Sequence, residues 1–218
     1  MGIEKGKPFQ PDERQKKILS EATVVGEAMA KAQTFDKRFE GMRYRTEARW
    51  DYVVPPWYAI DQDVENSTQL EERTALFYEA IGMSAGSIPR TPGVGQSYIS
   101  VYRDGAGHAF DGGKTYRLRV PPNVPVRQFW SITLYDINTR GLIQNKEQIA
   151  DRSSRQDLVT NTNGSVDLYF GPIPPKGFEK NWIPTVPGKA WFAIFRFYGP
   201  LEAYFDRSWP LPDIEAVQ

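Results

Sequence analysis

The sequence predicts a mainly β protein, a jelly-roll-like β-sandwich with an N-terminal pair of helices and an extended aromatic-rich arm. Aromatic residues make up 13% of the 218 residues, and they are accompanied by 17 prolines and 18 glycines. Aromatic side chains favour strands, whereas proline and glycine favour the turns between strands. From residue 95 onward, short alternating segments follow one another with no helix between them, which argues against a doubly wound α/β fold.

The N-terminal part, residues 1–94, is predicted to contain two helices joined by the aromatic-rich arm. The first helix is predicted over residues 9–37 and the second over residues 70–81, with Gly82 ending it. Because a helix with an apolar stripe must bury it, we expect this part to pack on the sandwich or on a partner. The stripe of the first helix repeats at helical spacing and consists of Ile18, Ala22, Val25, Met29 and Ala32.

Five segments of the C-terminal part, residues 95–218, are predicted to be strands of the sandwich. Most of them alternate apolar and polar residues, and turn sequences such as DGAGH, PPNVP and NTNG separate them. In the third segment, Phe129 and Tyr135 are predicted to share one face, while Trp130 and Leu134 share the other. The five segments are SYISVYRD, TYRLRV, QFWSITLYD, SVDLYFG and WFAIFRFYG.

Composition excludes several classes of function. The 27 basic and 27 acidic residues cancel, so the basic surface of a nucleic-acid-binding protein or of a membrane-surface helix is not expected. The chain contains no cysteine, which removes disulfides and cysteine-based zinc sites. No apolar run reaches the length of a membrane span. The N-terminal sequence MGIEKGKPFQ shows no signal peptide, which suits a cytoplasmic protein; an extracytoplasmic location would follow if the native chain starts earlier.

Several phrases of the C-terminal part resemble domain-of-unknown-function family 1214. They are DGGKTYRLRVPPNVP, FWSITLYDINTRGLIQN, NTNGSVDLYFGPIPP and NWIPTVPGKAWFAIFRFYGPLEAYFDRSWPLPDIE, in this order. The resemblance implies a jelly-roll-like sandwich and no particular reaction. Members of this family commonly follow a second uncharacterised module, numbered 1254, in larger bacterial proteins. That upstream module has no counterpart in this sequence, so the resemblance implies either a short member or a fragment.

No metal site or cofactor is predicted. His108 is the only histidine, so a two-histidine metal site cannot form, and its place in a turn predicts exposure to solvent. Asp104 and Asp111 flank this turn and suit turn geometry better than metal ligation. The acidic loop with Asp61 and Asp63 resembles a calcium loop but lacks the glycine and the distal glutamate of one.

The aromatic-rich arm supplies most of the candidate ligand-binding residues. It combines aromatic rings, arginines and a carboxylate in a short irregular stretch that ends in two prolines. Three interpretations stay open: packing in the core, an interface with another protein, or a site for a small polar or sugar-like ligand. The candidates in this arm are Arg45, Trp50, Asp51, Tyr52 and Trp57.

Two further candidates, Arg152 and Arg196, lie in the sandwich. Arg152 belongs to a polar run, residues 152–155, in which two arginines flank two serines and could hold a carboxylate or phosphate. The alternative is a turn capped by these serines and paired with nearby aspartates. Arg196 interrupts an apolar strand and needs either solvent or a buried partner. The acidic residues considered for that partner are Asp136, Glu202 and Asp206.

Two functional hypotheses follow. The first is a binding or assembly module, a homo-oligomer or a domain docked on a second protein module through the first helix and the arm. The second is a hydrolase or lyase for a small polar or carbohydrate-like substrate, with Asp51, Asp136 or Asp206 as acid or base and arginines as holders. A pocket around one such carboxylate, buried with a raised pKa, would favour the second. A histidine-dependent metal oxygenase is excluded because it needs a histidine pair.

Overall fold

The computed structural model describes residues 2–37, 41–54, 63–64, 67–68, 70–80 and 91–217. Its helices are α1 (Glu13–Phe35), α2 (Leu70–Ala80) and the short α3 (Glu202–Phe205), and a 3-10 turn covers Glu179–Asn181. The described strands are β1 (Asp51–Tyr52), β2 (Asp63–Val64), β3 (Ser67–Thr68), β4 (Gln96–Val101), β5 (Phe110–Asp111), β6 (Tyr116–Val120), β7 (Val126–Asp136), β8 (Asp151–Ser153), β9 (Val166–Gly171), β10 (Trp182–Pro184), β11 (Ala190–Pro200) and β12 (Glu215–Ala216).

Two sheets carry the fold. The larger has the strand order β1-β4-β11-β7-β8, with β5 pairing with β11 on the edge opposite β7, in line with β4, and the smaller has the order β10-β9-β6-β12. All pairs of the larger sheet are antiparallel, whereas β10 runs parallel to β9 in the smaller one. A separate hairpin joins β2 and β3. The chain is therefore mainly β, as predicted, while the jelly-roll connectivity stays a prediction.

The core lies between the two sheets and is rich in aromatic rings. Alternation along β11 sends Trp191, Phe195 and Phe197 into this core, where all three are buried. Leu118 of β6 and Phe170 of β9 meet them from the smaller sheet. The predicted faces of β7 are confirmed, because Trp130, Ile132 and Leu134 join the core and the odd-numbered residues from Phe129 to Tyr135 line the outer face.

The helices cover one end of the outer face of the larger sheet. A second apolar cluster joins Leu76 of α2 and Phe35 at the end of α1 to Phe192 and Ile194 of β11. Thr34 of α1 donates a hydrogen bond to the carbonyl of Ala75 in α2, at 3.2 Å. The rest of the outer face, toward the other end of β11, is not covered by the described helices and forms an open cleft.

The part of α1 that precedes Ala30 lies outside this contact. Its N-terminus has a capping box, in which Asp12 accepts from the backbone N–H of Gln15 at 2.7 Å and the Gln15 side chain accepts from the Asp12 N–H at 3.0 Å. Every residue from 20 to 29 is exposed. The helix is four residues shorter at its start and two shorter at its end than the sequence predicts, since the cap fixes where it begins.

The aromatic-rich arm belongs to the core where the structure describes it. Tyr44, Trp50 and Tyr52 are buried, and β1 of the arm pairs with β4 at the edge of the larger sheet. The Trp50 indole N–H donates to the carbonyl of Pro212 at 2.8 Å, which fastens the arm to the C-terminal segment. Of the three interpretations, these rings therefore show core packing, and Trp57 lies outside the described residues.

Candidate functional site

A small polar cavity lies where the end of α1, the arm and the segment after β4 meet. Its volume is about 50 Å³, enough for a few water molecules. The position follows from the chain order, since the arm returns along β4 and brings Asp51 opposite Ser100. We name it the Asp51 cavity, and its lining residues are Phe35, Asp36, Arg43, Arg49, Asp51, Tyr102 and Arg103.

A buried ion pair lies beside this cavity. The Lys37 ammonium donates to a Glu79 carboxylate oxygen at 2.5 Å, and both side chains are almost completely buried. Lys37 also donates to the Tyr52 carbonyl at 3.0 Å and to the Ser100 hydroxyl at 3.3 Å. The Tyr102 hydroxyl donates to the other Glu79 oxygen at 2.5 Å. These bonds satisfy both charges, which a buried ion pair requires.

The Asp51 carboxyl faces the cavity, and no hydrogen bond to its Oδ1 compensates for the burial of this group. Burial raises the pKa of its carboxyl to about 6, although the positive charges of Lys37 and Arg43 act in the opposite direction. Its Oδ1 lies 3.3 Å from the Arg43 Nε, but the geometry does not make a hydrogen bond. A carboxyl group with this pKa can exchange a proton near neutral pH, which is the property of a general acid or base.

The other two candidate acid or base residues, Asp136 and Asp206, are held in turns and have lowered pKa values. Asp136 accepts from the backbone N–H groups of Asn138 and Thr139, each at 2.9 Å, and so closes the turn after β7. Asp206 accepts from the N–H of Ser208 at 2.8 Å. The pKa of Asp136 is lowered although burial opposes the backbone hydrogen bonds, and that of Asp206 is lowered by hydrogen bonds with Ser208. Of the three, Asp51 alone has a raised pKa in a cavity.

A second and larger concavity, the outer-face cleft, has a volume of about 540 Å³. It is formed by the outward residues of β7, β8 and β11, among them Phe129, Thr133 and Tyr198. Arg196 projects into it from the middle of β11, and Arg155 reaches it from the turn after β8. Its volume is within the range of small-molecule sites, and most of its lining side chains are polar or charged.

The predicted site residues are divided between these places. Asp51 lines the Asp51 cavity and Arg196 the outer-face cleft, whereas Trp50 and Tyr52 are core residues. Arg45 donates to the Arg207 carbonyl and contacts Glu47 at 3.5 Å, so it fastens the arm.

Arg152 lies on the other side of the sheet from the cleft. It is opposite Ile132, whose side chain belongs to the core, and burial lowers the pKa of its guanidinium. Arg155 of the same run lines the cleft instead. The period of a strand could have separated the two arginines, but only with the register of β8 known.

Arg140 is a half-buried residue with a buried guanidinium, and the sequence pattern did not indicate it. Its guanidinium lies over the rings of Phe35, Tyr78 and Phe192, at 5.2, 4.4 and 5.2 Å from their centroids. The residue has a left-handed backbone, with φ of 62°, which is unfavourable for a side chain with a Cβ. The turn after β7 therefore holds this cation in the helix–sheet contact, where cation–π attraction stabilises it.

Across the part of the chain that the structure describes, no three histidine, aspartate or glutamate side chains come close enough to hold a metal ion. His108 is exposed in its turn, and the acidic loop that begins at Asp61 falls largely outside the described residues. No helix among the described residues is both long and apolar enough to cross a bilayer.

Comparison with known families supports the resemblance seen in the sequence. Residues 95–202 match the model of a family described as a protein of unknown function, DUF1214. None of the curated proteins compared with the chain matches it.

Two solved structures are similar to the chain over nearly its whole length. The VPA0106 protein from Vibrio parahaemolyticus is 20% identical with a TM-score of 0.53, over 96% of this chain and 47% of that one. An uncharacterised protein from Burkholderia cenocepacia is 13% identical with a TM-score of 0.41, over 95% of this chain and 44% of that one. The chain thus spans about half the length of these proteins, and the first likeness shows a shared fold.

Proposed function

We propose that this chain is an assembly module that associates with a second copy of itself through the exposed apolar stripe of α1 that runs from Ile18 to Met29. The observation that supports the proposal is the exposure of the apolar stripe on this helix. Ile18, Val25 and Met29 are 46%, 58% and 57% exposed, and no residue from 20 to 29 is buried by the described part of the protein. A contiguous exposed apolar surface of this kind is typical of protein–protein contacts.

The physical reason is that an unsupported helix of this length is only marginally stable in water. The capping box at Asp12 stabilises its start, but the intrahelical ion pairs Lys16–Glu13 and Lys17–Glu21 are exposed and contribute little. Packing the stripe against another surface supplies the missing stabilisation, because most helix stability in proteins comes from burying an apolar face.

A second copy of the chain suits this stripe. Ile18, Ala22, Val25 and Met29 are spaced four, three and four residues apart, which is the spacing at which two helices pack along a common seam. The seam contains no charged residue, so two copies bring no like charges together within it. Twofold symmetric dimers are the commonest assemblies and present the same patch on both subunits. The described rings of the arm do not contribute, since they are buried.

The test is the mass of the particle in solution. Size-exclusion chromatography with light scattering is expected to give twice the chain mass of 24.9 kDa for the wild type. Val25→Glu places a charge in the seam and is expected to give a monomer. Val24→Glu is the matched control, because Val24 is also exposed but lies about 100° away around the helix. A monomeric wild type at the highest soluble concentration, or a Val25→Glu dimer, would overturn self-association; binding to a separate module would then be the remaining form of the docking hypothesis.

Catalysis at Asp51 is a second candidate function. It is favoured by the cavity that joins a buried carboxyl with a pKa near 6 to the guanidinium groups of Arg43, Arg49 and Arg103. In this candidate, Asp51 transfers the proton and the arginines hold an anionic or polar part of a small substrate.

A panel of chromogenic esters and glycosides tests this second candidate. Turnover is expected to change with an apparent pKa near 6 and to be lost in Asp51→Asn. Asp206→Asn is the control, because Asp206 lies in an exposed turn and is expected to leave the rate unchanged. Turnover that survives in Asp51→Asn, or a panel without any turnover, contradicts this candidate.

A further inference from the structure

We propose that the outer-face cleft binds a small oxyanion, a carboxylate or a phosphate, attached to a planar ring. This site is separate from the α1 seam and from the Asp51 cavity, so it neither depends on the proposed assembly nor repeats it. The inference starts from Arg196, a charged residue in the middle of an otherwise apolar central strand.

The sheet register determines what surrounds Arg196. It lies opposite Ser131 of β7 on one side and Tyr98 of β4 on the other, and Ser131 in turn lies opposite Ser153 of β8. Opposed residues of antiparallel strands share a face. Hydroxyl-bearing side chains therefore flank the arginine across the sheet, and the outer face is polar where the helices do not cover it.

The Arg196 guanidinium is held in place by neutral groups. It donates to the Thr133 hydroxyl at 2.5 Å and to the Tyr135 hydroxyl, and its centre lies 5.5 Å from the ring centroid of Tyr98. Among the described residues no carboxylate forms an ion pair with it, so Asp136, Glu202 and Asp206 are not its partners. Two of its five N–H groups donate to these hydroxyls, and neither acceptor carries a charge.

A second guanidinium completes the cleft. Arg155 lies over the ring of Phe129 at 3.7 Å from its centroid, and Phe129 stacks on Tyr198 with centroids 3.9 Å apart. The backbone N–H of Arg155 donates to the Ser153 hydroxyl at 3.1 Å, and this bond positions the turn after β8. Arg155 has no carboxylate within ion-pair distance in the described part of the chain either.

The charge of the lining determines the sign of the ligand. Two arginines and one aspartate, Asp151, line the cleft, so two positive charges against one negative leave an excess of one positive charge. Guanidinium groups that have no carboxylate partner are stabilised by an anion, and their planar N–H pairs match the two oxygens of a carboxylate or phosphate. The Phe129 ring lies between the Arg155 guanidinium and the Tyr198 ring, so Tyr198 at the end of this stack is the aromatic surface on which a ligand ring can lie.

The direct test is titration of the full chain with benzoate and with phenyl phosphate, followed by calorimetry or by NMR shifts of the cleft residues. Saturable binding of either probe is expected, and the two titrations separate a carboxylate site from a phosphate site. Benzamide has the same ring without the charge and is expected not to bind. Binding of benzamide as tightly as benzoate, or no binding of either anion, would overturn the proposal.

Variants locate the site. Arg196→Gln and Arg155→Gln are each expected to weaken binding of the anion by about tenfold or more, since a charge-assisted hydrogen bond is lost. Arg155 is exposed, so its variant tests the site even if the Arg196 variant folds poorly. Arg117→Gln on β6 of the smaller sheet is the matched control and is expected to bind normally. Unchanged affinity of the anion for both cleft variants would overturn the assignment. The Val25→Glu variant is expected to bind the anion with unchanged affinity, because assembly is independent of the cleft.

Discussion

At the scale of single residues, Asp51 shows how burial can outweigh neighbouring charge. Lys37 and Arg43 favour its ionised form, while burial disfavours it and the negative charges of Glu79 and Asp36 add to that effect. The sum raises the pKa from 3.8 to about 6. Between pH 3.8 and about 6, the folded protein therefore holds a proton on Asp51 that the unfolded chain releases.

This difference predicts a pH dependence of stability. Because the folded form binds the additional proton, the contribution of Asp51 makes the free energy of unfolding fall as pH rises from about 4 to 6, by on the order of 3 kcal/mol. Asp51→Asn carries no such titration. Urea unfolding is expected to give nearly equal free energies of unfolding for the variant and the wild type at pH 4. At pH 7 the variant is expected to be the more stable of the two.

Asp206→Asn supplies a control of opposite sign. The pKa of Asp206 is lowered in the folded state by its hydrogen bonds with Ser208, so its ionised form stabilises the fold above the ordinary pKa. Asp206→Asn is expected to be less stable than the wild type at pH 7, and this difference in the free energy of unfolding is expected to vanish in acid. A difference between Asp51→Asn and wild type that stays constant with pH would contradict the raised pKa.

At the scale of elements, one lysine ties the helices to the sheet. Lys37 follows the end of α1, its ion-pair partner Glu79 lies in α2, and its other acceptors are the Tyr52 carbonyl of β1 and the Ser100 hydroxyl of β4. The side chains of the pair are 1% and 0% exposed. Removing one charge of such a pair leaves the other buried without compensation.

Lys37→Met is therefore expected to lower the free energy of unfolding by about 3 kcal/mol or more. Lys16→Met is the matched control, because Lys16 lies in the first turns of the same helix and pairs with Glu13 at 2.7 Å in an exposed position. That control is expected to cost less than about 0.5 kcal/mol. Urea midpoints followed by circular dichroism measure both, and equal midpoints for the two variants would show that the buried pair contributes no more than the exposed one.

At the scale of the whole molecule, the aromatic core joins the arm, both sheets and the C-terminal segment. Phe195 of β11 contacts the rings of Trp50 from the arm, Trp130 from β7 and Trp209 from the C-terminal segment, with centroids 6.3, 5.4 and 5.8 Å away. Because one ring touches three distant parts of the chain, we expect these parts to unfold together.

Phe195→Ala is expected to destabilise the protein by about 3 to 5 kcal/mol, the usual cost of removing a buried phenylalanine ring. Phe77→Ala on α2 serves as its control, since Phe77 is 66% exposed and its loss is expected to change stability by less than about 0.5 kcal/mol. Tryptophan fluorescence and far-ultraviolet circular dichroism should give coincident unfolding curves for the wild type. Separate transitions would show that arm and sheets unfold independently.

Much of the candidate-site chemistry could not be predicted from the sequence, and Arg152 and Arg155 show why. Both stand in one polar run, and local pattern treats them alike. The register of β8 against β7 places Arg152 opposite Ile132 and leaves Arg155 at the cleft. Register depends on which strands pair, and that information lies outside the local sequence.

The sequence by itself determined the mainly β class, the five main strands, the two long helices and the inward and outward faces of β7, because these depend on local periodicity and turn chemistry. Only the tertiary structure decided that Trp50 and Tyr52 are core residues, that Asp51 is buried in a cavity and that Arg196 meets hydroxyl groups rather than a carboxylate. Burial and pairing between distant segments set those properties, since a side chain's environment is made by residues far away in the sequence.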